Sequence, residues 1–68
     1  MLFITPTDRQ ALRLLAQGKP VPEVADRLGV DNTEVEPYLT SLFSAMGASG
    51  RTEAIVRASR RGLLAPDV

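Results

Sequence analysis

The stretch Glu23-Val24-Ala25-Asp26-Arg27-Leu28-Gly29-Val30, continued by Asp31-Asn32-Thr33-Glu34-Val35, decides the fold. Val21, Val24, Ala25 and Leu28 recur at helical spacing and stop at Gly29, a residue that permits the positive φ of a tight turn. Asp31 then offers a capping carboxylate with Glu34 three residues on. Val35, Tyr38, Leu39, Leu42, Phe43 and Met46 repeat the helical period up to Gly47. The spacing of Ala25, Gly29 and Val35 has a mechanical reason. A small residue lets two helices cross closely, the glycine turns the chain, and the aliphatic residue anchors the second helix on the first.

Working outward, Thr5-Pro6-Thr7-Asp8 combines a capping hydroxyl, a proline at the first helical position and an acid three residues after the cap. Ala11, Leu12, Leu14, Leu15 and Ala16 follow at helical spacing, and Gly18 ends that helix. The Pro20-Val21-Pro22 entry to the next helix is weakly specified, since neither Pro20 nor Val21 carries a capping oxygen. A fourth helix follows Ser49 or Gly50, with Ala54, Ile55, Ala58 and Leu63 on one side and Arg57, Arg60 and Arg61 near a Gly62 stop. Strand alternation is absent and the connections are short, so the expected fold is all-α, a four-helix domain over residues 4–65 with a tail at 66–68. The leucines, Val24, Val35, Phe43 and Met46 are the expected core.

The 68 residues make at most one small domain, and 44% hydrophobic with 24% charged residues disfavour disorder and coiled coils. Cysteine and histidine are both absent, which removes disulfides, the commonest metal ligands, cysteine nucleophiles and the usual general base. Glu34 and Glu36 have no nucleophile or metal partner near them in sequence, and Ser41, Ser44, Ser49 and Ser59 have no candidate base. No enzyme, cofactor, metal or small-molecule ligand is expected. No apolar run approaches the roughly 18 residues of a membrane span, and Met1-Leu2-Phe3-Ile4 is too short and uncharged for a signal peptide, so no membrane partner and a cytoplasmic location are expected. Eight Lys plus Arg balance eight Asp plus Glu, whereas a self-sufficient nucleic-acid binder is normally basic.

Longer strings carry a resemblance. Ile4-Thr5-Pro6, Leu12-Arg13-Leu14-Leu15-Ala16-Gln17-Gly18-Lys19, Glu23 to Val30, and Gly50-Arg51-Thr52-Glu53-Ala54 together resemble the LuxR-type (GerE/NarL-like) helix-turn-helix domain, from Ile4 to about Leu64. The resemblance implies a bacterial transcription regulator or the effector domain of a response regulator. In such a domain the second and third helices form the helix-turn-helix, the third enters the major groove of double-stranded DNA, and the fourth often serves as a dimer contact. Arg9, Arg13, Lys19, Arg27, Thr33, Tyr38 and Arg51 are the candidate DNA-binding residues, and Ile55, Val56, Ala58, Ser59 and Leu63 the candidate dimer stripe.

Several of these residues have a plainer reading. Tyr38 beside Leu39 and Leu42 reads more readily as packing than as a base-stacking ring. For Arg51, a phosphate contact and a salt bridge to Glu53 or Asp26 stand level. Arg57, Arg60 and Arg61 suit the negative end of their helix.

The recognition segment departs from the family pattern. It reads Glu34-Val35-Glu36-Pro37-Tyr38, and Asp31 to Met46 holds three acids and no base, the wrong sign toward phosphates. Pro37 beyond the first turn forfeits a hydrogen bond to the Thr33 carbonyl at a cost of about 3 kcal/mol. The proline therefore predicts that the third helix kinks near Glu36 or begins there, with Thr33 to Val35 left as a turn. Two functions stay open: a regulator that binds DNA weakly or atypically, and a degenerate helix-turn-helix that pairs with itself or with another regulator without binding DNA.

Overall fold

A computed structural model of the chain describes residues 4–64. The opening residues 1–3, position 65 and the expected tail 66–68 lie outside the described residues. Four helices follow one another: α1 (Pro6–Ala16), α2 (Val21–Leu28), α3 (Asn32–Ala45) and α4 (Arg51–Arg60), with no strand among the described residues. The fold is the expected all-α one.

Each helix end has a local cause. At α1 both halves of the capping box form: the Asp8 amide donates to Thr5 Oγ1 at 3.0 Å, and the Thr5 amide donates to Asp8 Oδ2 at 3.1 Å. α2 starts at Val21 after Pro20, without a side-chain cap, as its sequence predicts, and stops at Gly29. There φ is +72°, and the Val30 amide donates back to the Ala25 carbonyl at 3.0 Å. α4 also lacks a side-chain cap at Gly50, but Glu53 reaches back to accept the Ser49 amide at 2.6 Å. Its last helical residue is Arg60, so Leu63 follows in the turn rather than on the helix.

The third helix corrects one expectation. It does not begin at Glu36; it runs from Asn32 through Pro37 to Ala45. Asp31 caps it, accepting the Thr33 amide and the Thr33 hydroxyl, each at 3.0 Å. The core fixes the same register. Val35, Leu39, Leu42 and Met46 are spaced to share one helix face, and all are buried. A start at Glu36 would give up the cap and lift Val35, 1% exposed, out of the core. Pro37 removes a single amide donor, which weighs less than those losses together.

The core draws on every helix: Ala11, Leu12, Leu14 and Leu15 from α1, Val24 and Ala25 from α2, the α3 face, and Ala54 and Ala58 from α4. Phe43, Leu28, Leu63 and Leu64, expected inside, are only partly buried against it. α1 packs on α2 and α4, and α3 packs most closely on α2. Ala58 is fully buried within this core, which removes it from the expected dimer stripe.

Candidate nucleic-acid interface

The α2–α3 unit has the geometry that the spacing of Ala25, Gly29 and Val35 requires. Ala25 and Val35 are each 1% exposed, and Gly29 makes the left-handed turn between their helices. With α3 anchored on that side, its outer face carries Thr33, Glu36, Pro37, Thr40, Ser41 and Ser44, all exposed. Three further hydroxyls therefore share the face of Thr33. Thr40, Ser41 and Ser44 are not among the expected DNA contacts, most of which are cations; the helical period, the same wherever α3 begins, sets all three on the face of Thr33. Hydroxyls donate or accept at base edges and phosphates without adding charge.

The predicted basic contacts divide by what already holds them. Lys19 and Arg27 flank Glu23, with Nζ at 3.6 Å and a guanidinium nitrogen at 3.2 Å from its carboxylate. The Arg27 side chain is 53% exposed, and such surface pairs are weak enough to exchange for a phosphate. Arg51 is held by a contact that the sequence did not show. Its guanidinium donates to the Leu15 carbonyl at 2.9 Å and the Lys19 carbonyl at 3.0 Å, where α1 ends. Arg9 likewise donates through Nε to the Leu63 carbonyl at 3.2 Å, fastening the turn after α4 onto α1. Arg13 is half-buried on α1, and Thr33 stands exposed at the start of α3.

Tyr38 is half-buried against the core, and its hydroxyl donates to Asp8 Oδ1, joining α3 to the first turn of α1. Burial, the bond to Asp8 and the charge on Asp8, in that order, push the phenol well above its ordinary range. The ring is packed against the core in the way that its neighbours Leu39 and Leu42 suggest. Asp31 is held below its ordinary value by the Thr33 amide and then the Thr33 hydroxyl. Glu53 is lowered in the same way by the Ser49 amide. These shifts belong to helix caps, and they sit at the entrances of α3 and α4 rather than at a reactive centre. On α4, Val56 is 44% exposed, Ser59 is exposed and Ile55 is half-buried, as is Leu63 in the turn that follows.

A family model described as bacterial regulatory proteins, luxR family, matches residues 3–58. The chain belongs to the LuxR family of bacterial regulatory proteins. Among its relatives, the spore germination protein GerE of Bacillus subtilis is 30% identical over 91% of this LuxR-type domain and 84% of its own length. The transcriptional regulatory protein YdfI of the same organism is 34% identical over 94% of this chain, and the response regulator Rre1 of Synechocystis 36% identical over 91%. The chain spans only 30% and 27% of those two proteins, and 7% of an HTH-type regulator-named protein of Mycobacterium bovis that it matches at 34% identity. No solved structure matches it significantly. These relatives favour the reading as a helix-turn-helix domain of transcription regulation over the degenerate pairing module. No helix among the described residues is long and apolar enough to cross a membrane.

Proposed function

We propose that this LuxR-type domain is a non-enzymatic, cytoplasmic DNA-binding effector that lays α3 in the major groove, with Lys19 and Arg27 touching the backbone beside it. What supports this reading is the continuous exposed face of Thr33, Glu36, Pro37, Thr40, Ser41 and Ser44, standing clear of the core on a helix-turn-helix of the LuxR family. Contacts to DNA then come from hydroxyls and from a few exchangeable surface cations, since Arg9 and Arg51 are committed to backbone carbonyls and Tyr38 to Asp8. With Glu34 and Glu36 exposed on the approaching helix, affinity is low and the salt slope shallow. A second copy would pair through Val56, Ser59 and the rim of Ile55, and sedimentation of Val56→Glu beside the wild type reads that contact directly.

Anisotropy of a labelled mixed-sequence duplex, titrated with protein at low salt, tests the DNA reading. Binding that weakens as salt rises supports it. No binding at about 50 µM protein, within the ordinary range of non-specific association, overturns it.

A further inference from the structure

α3 packs most closely on α2. A helix held mainly along one flank can still roll about that contact, and a roll would swing its outer face away from a groove that tolerates little error. Away from that flank, Tyr38 carries a bond across to another helix, to Asp8 in the first turn of α1. Asp8 is itself immobilised: one carboxylate oxygen accepts the Thr5 amide at 3.1 Å, the other accepts the Tyr38 hydroxyl, and its own amide donates to Thr5 Oγ1 at 3.0 Å. The phenol ring between these ends is half-buried against the core, so the link is braced along its length. We infer that Asp8 and Tyr38 are a positioning couple that fixes the roll of α3 for DNA, with the α1 cap as its anchor and no contact of its own to the nucleic acid.

The inference rests on the DNA reading above and makes a prediction of unusual sign. Asp8→Asn removes a negative charge from a protein that approaches a polyanion, so electrostatics alone predicts tighter binding. The couple predicts weaker binding, because the charge-assisted bond from the phenol to a carboxylate is lost: the amide can only offer its NH2 to the Tyr38 oxygen, a reversed and weaker neutral bond. Asp8→Asn and Tyr38→Phe are each expected to weaken duplex binding by roughly three- to tenfold at equal helicity, and the double variant no further than either alone. The salt slope should stay at its wild-type value, since no phosphate contact is lost.

Tyr38 is the chain's single tyrosine and tryptophan is absent, so the ultraviolet signal of phenolate formation reports this one ring. In the wild type it should appear well above the ordinary value near 10, and Asp8→Asn should bring it down. Binding by the wild type with Asp8→Asn equal or tighter overturns the couple. So does an ordinary phenol titration in the wild type, which would mean that the bond does not form. Failure of the wild type to bind any duplex overturns the DNA reading and takes the positioning role with it, while the titration still tells whether the bond exists.

Discussion

Arg51 reaches two carbonyls at the end of α1, Leu15 and Lys19, from the first position of α4. One terminal guanidinium nitrogen makes both bonds. Arg51→Met, which removes that donor, is therefore expected to lower unfolding free energy by about 1–3 kcal/mol in urea titrations, with the slope unchanged, and Arg51→Lys, whose ammonium keeps several donors on one nitrogen, by less. A direct phosphate role would instead leave stability intact and cut only DNA affinity. Nothing in the local sequence ties position 51 to 15 and 19, which is why the phosphate contact and a bridge to Glu53 or Asp26 stood level before the structure. Tyr38 differs: its neighbours Leu39 and Leu42 announced packing, but its partner thirty residues away was not legible. Gly29 was fully legible, because a tight turn between two periodic stretches needs a positive φ. A Cβ there meets nothing within 4 Å, so Gly29→Ala carries backbone strain alone, expected at about 1–2 kcal/mol by the same titration.

At the scale of the element, α3 sets two local rules against each other, and the outcome shows how they rank. The cap at Asp31 and the burial of Val35 hold the early start despite Pro37. Pro37→Ala restores the missing donor to the Thr33 carbonyl and is expected to stabilise the protein by about 1–3 kcal/mol, read as a raised urea midpoint. A start at Glu36 would predict the reverse, since proline is favourable at a first helical position. The sequence contained every residue of this contest; what it lacked was the tertiary term, that Val35 has a place in the core only if the helix begins before it. The caps also set the acid limb of stability. Asp31 and Glu53 have carboxyls lowered by amide bonds in the folded state, so their contribution is complete above the ordinary carboxylate range near 4 and is lost as pH falls through the depressed values. Thermal midpoints should decline in that window, and Asp31→Asn with Glu53→Gln should flatten the decline.

For the molecule as a whole, the LuxR scaffold and its surface carry different messages. Scaffold features repeat at fixed spacing and bury apolar area, so the four helices, the turn at Gly29 and most of the core could be read off the chain. The surface has no such period, and the fate of each cation depended on folds in the chain that brought Leu63 to Arg9 and Leu15 to Arg51. Net charge is zero, and the exposed face of α3 bears Glu36 with no base beside it on that helix. Affinity for DNA is then limited by sign rather than by shape, a claim that a charge reversal tests. Glu36→Lys with Pro37→Asn swaps an anion for a cation on the face already exposed and leaves the buried Val35, Leu39 and Leu42 untouched. If a phosphate is within reach, the new cation should raise the magnitude of the salt slope by about 0.9 and tighten low-salt binding by roughly tenfold or more. Glu36→Lys alone should supply most of that gain, while Pro37→Asn alone should change stability more than affinity. Slopes and affinities that match the wild type in the double variant would mean that this face of α3 does not meet the DNA backbone.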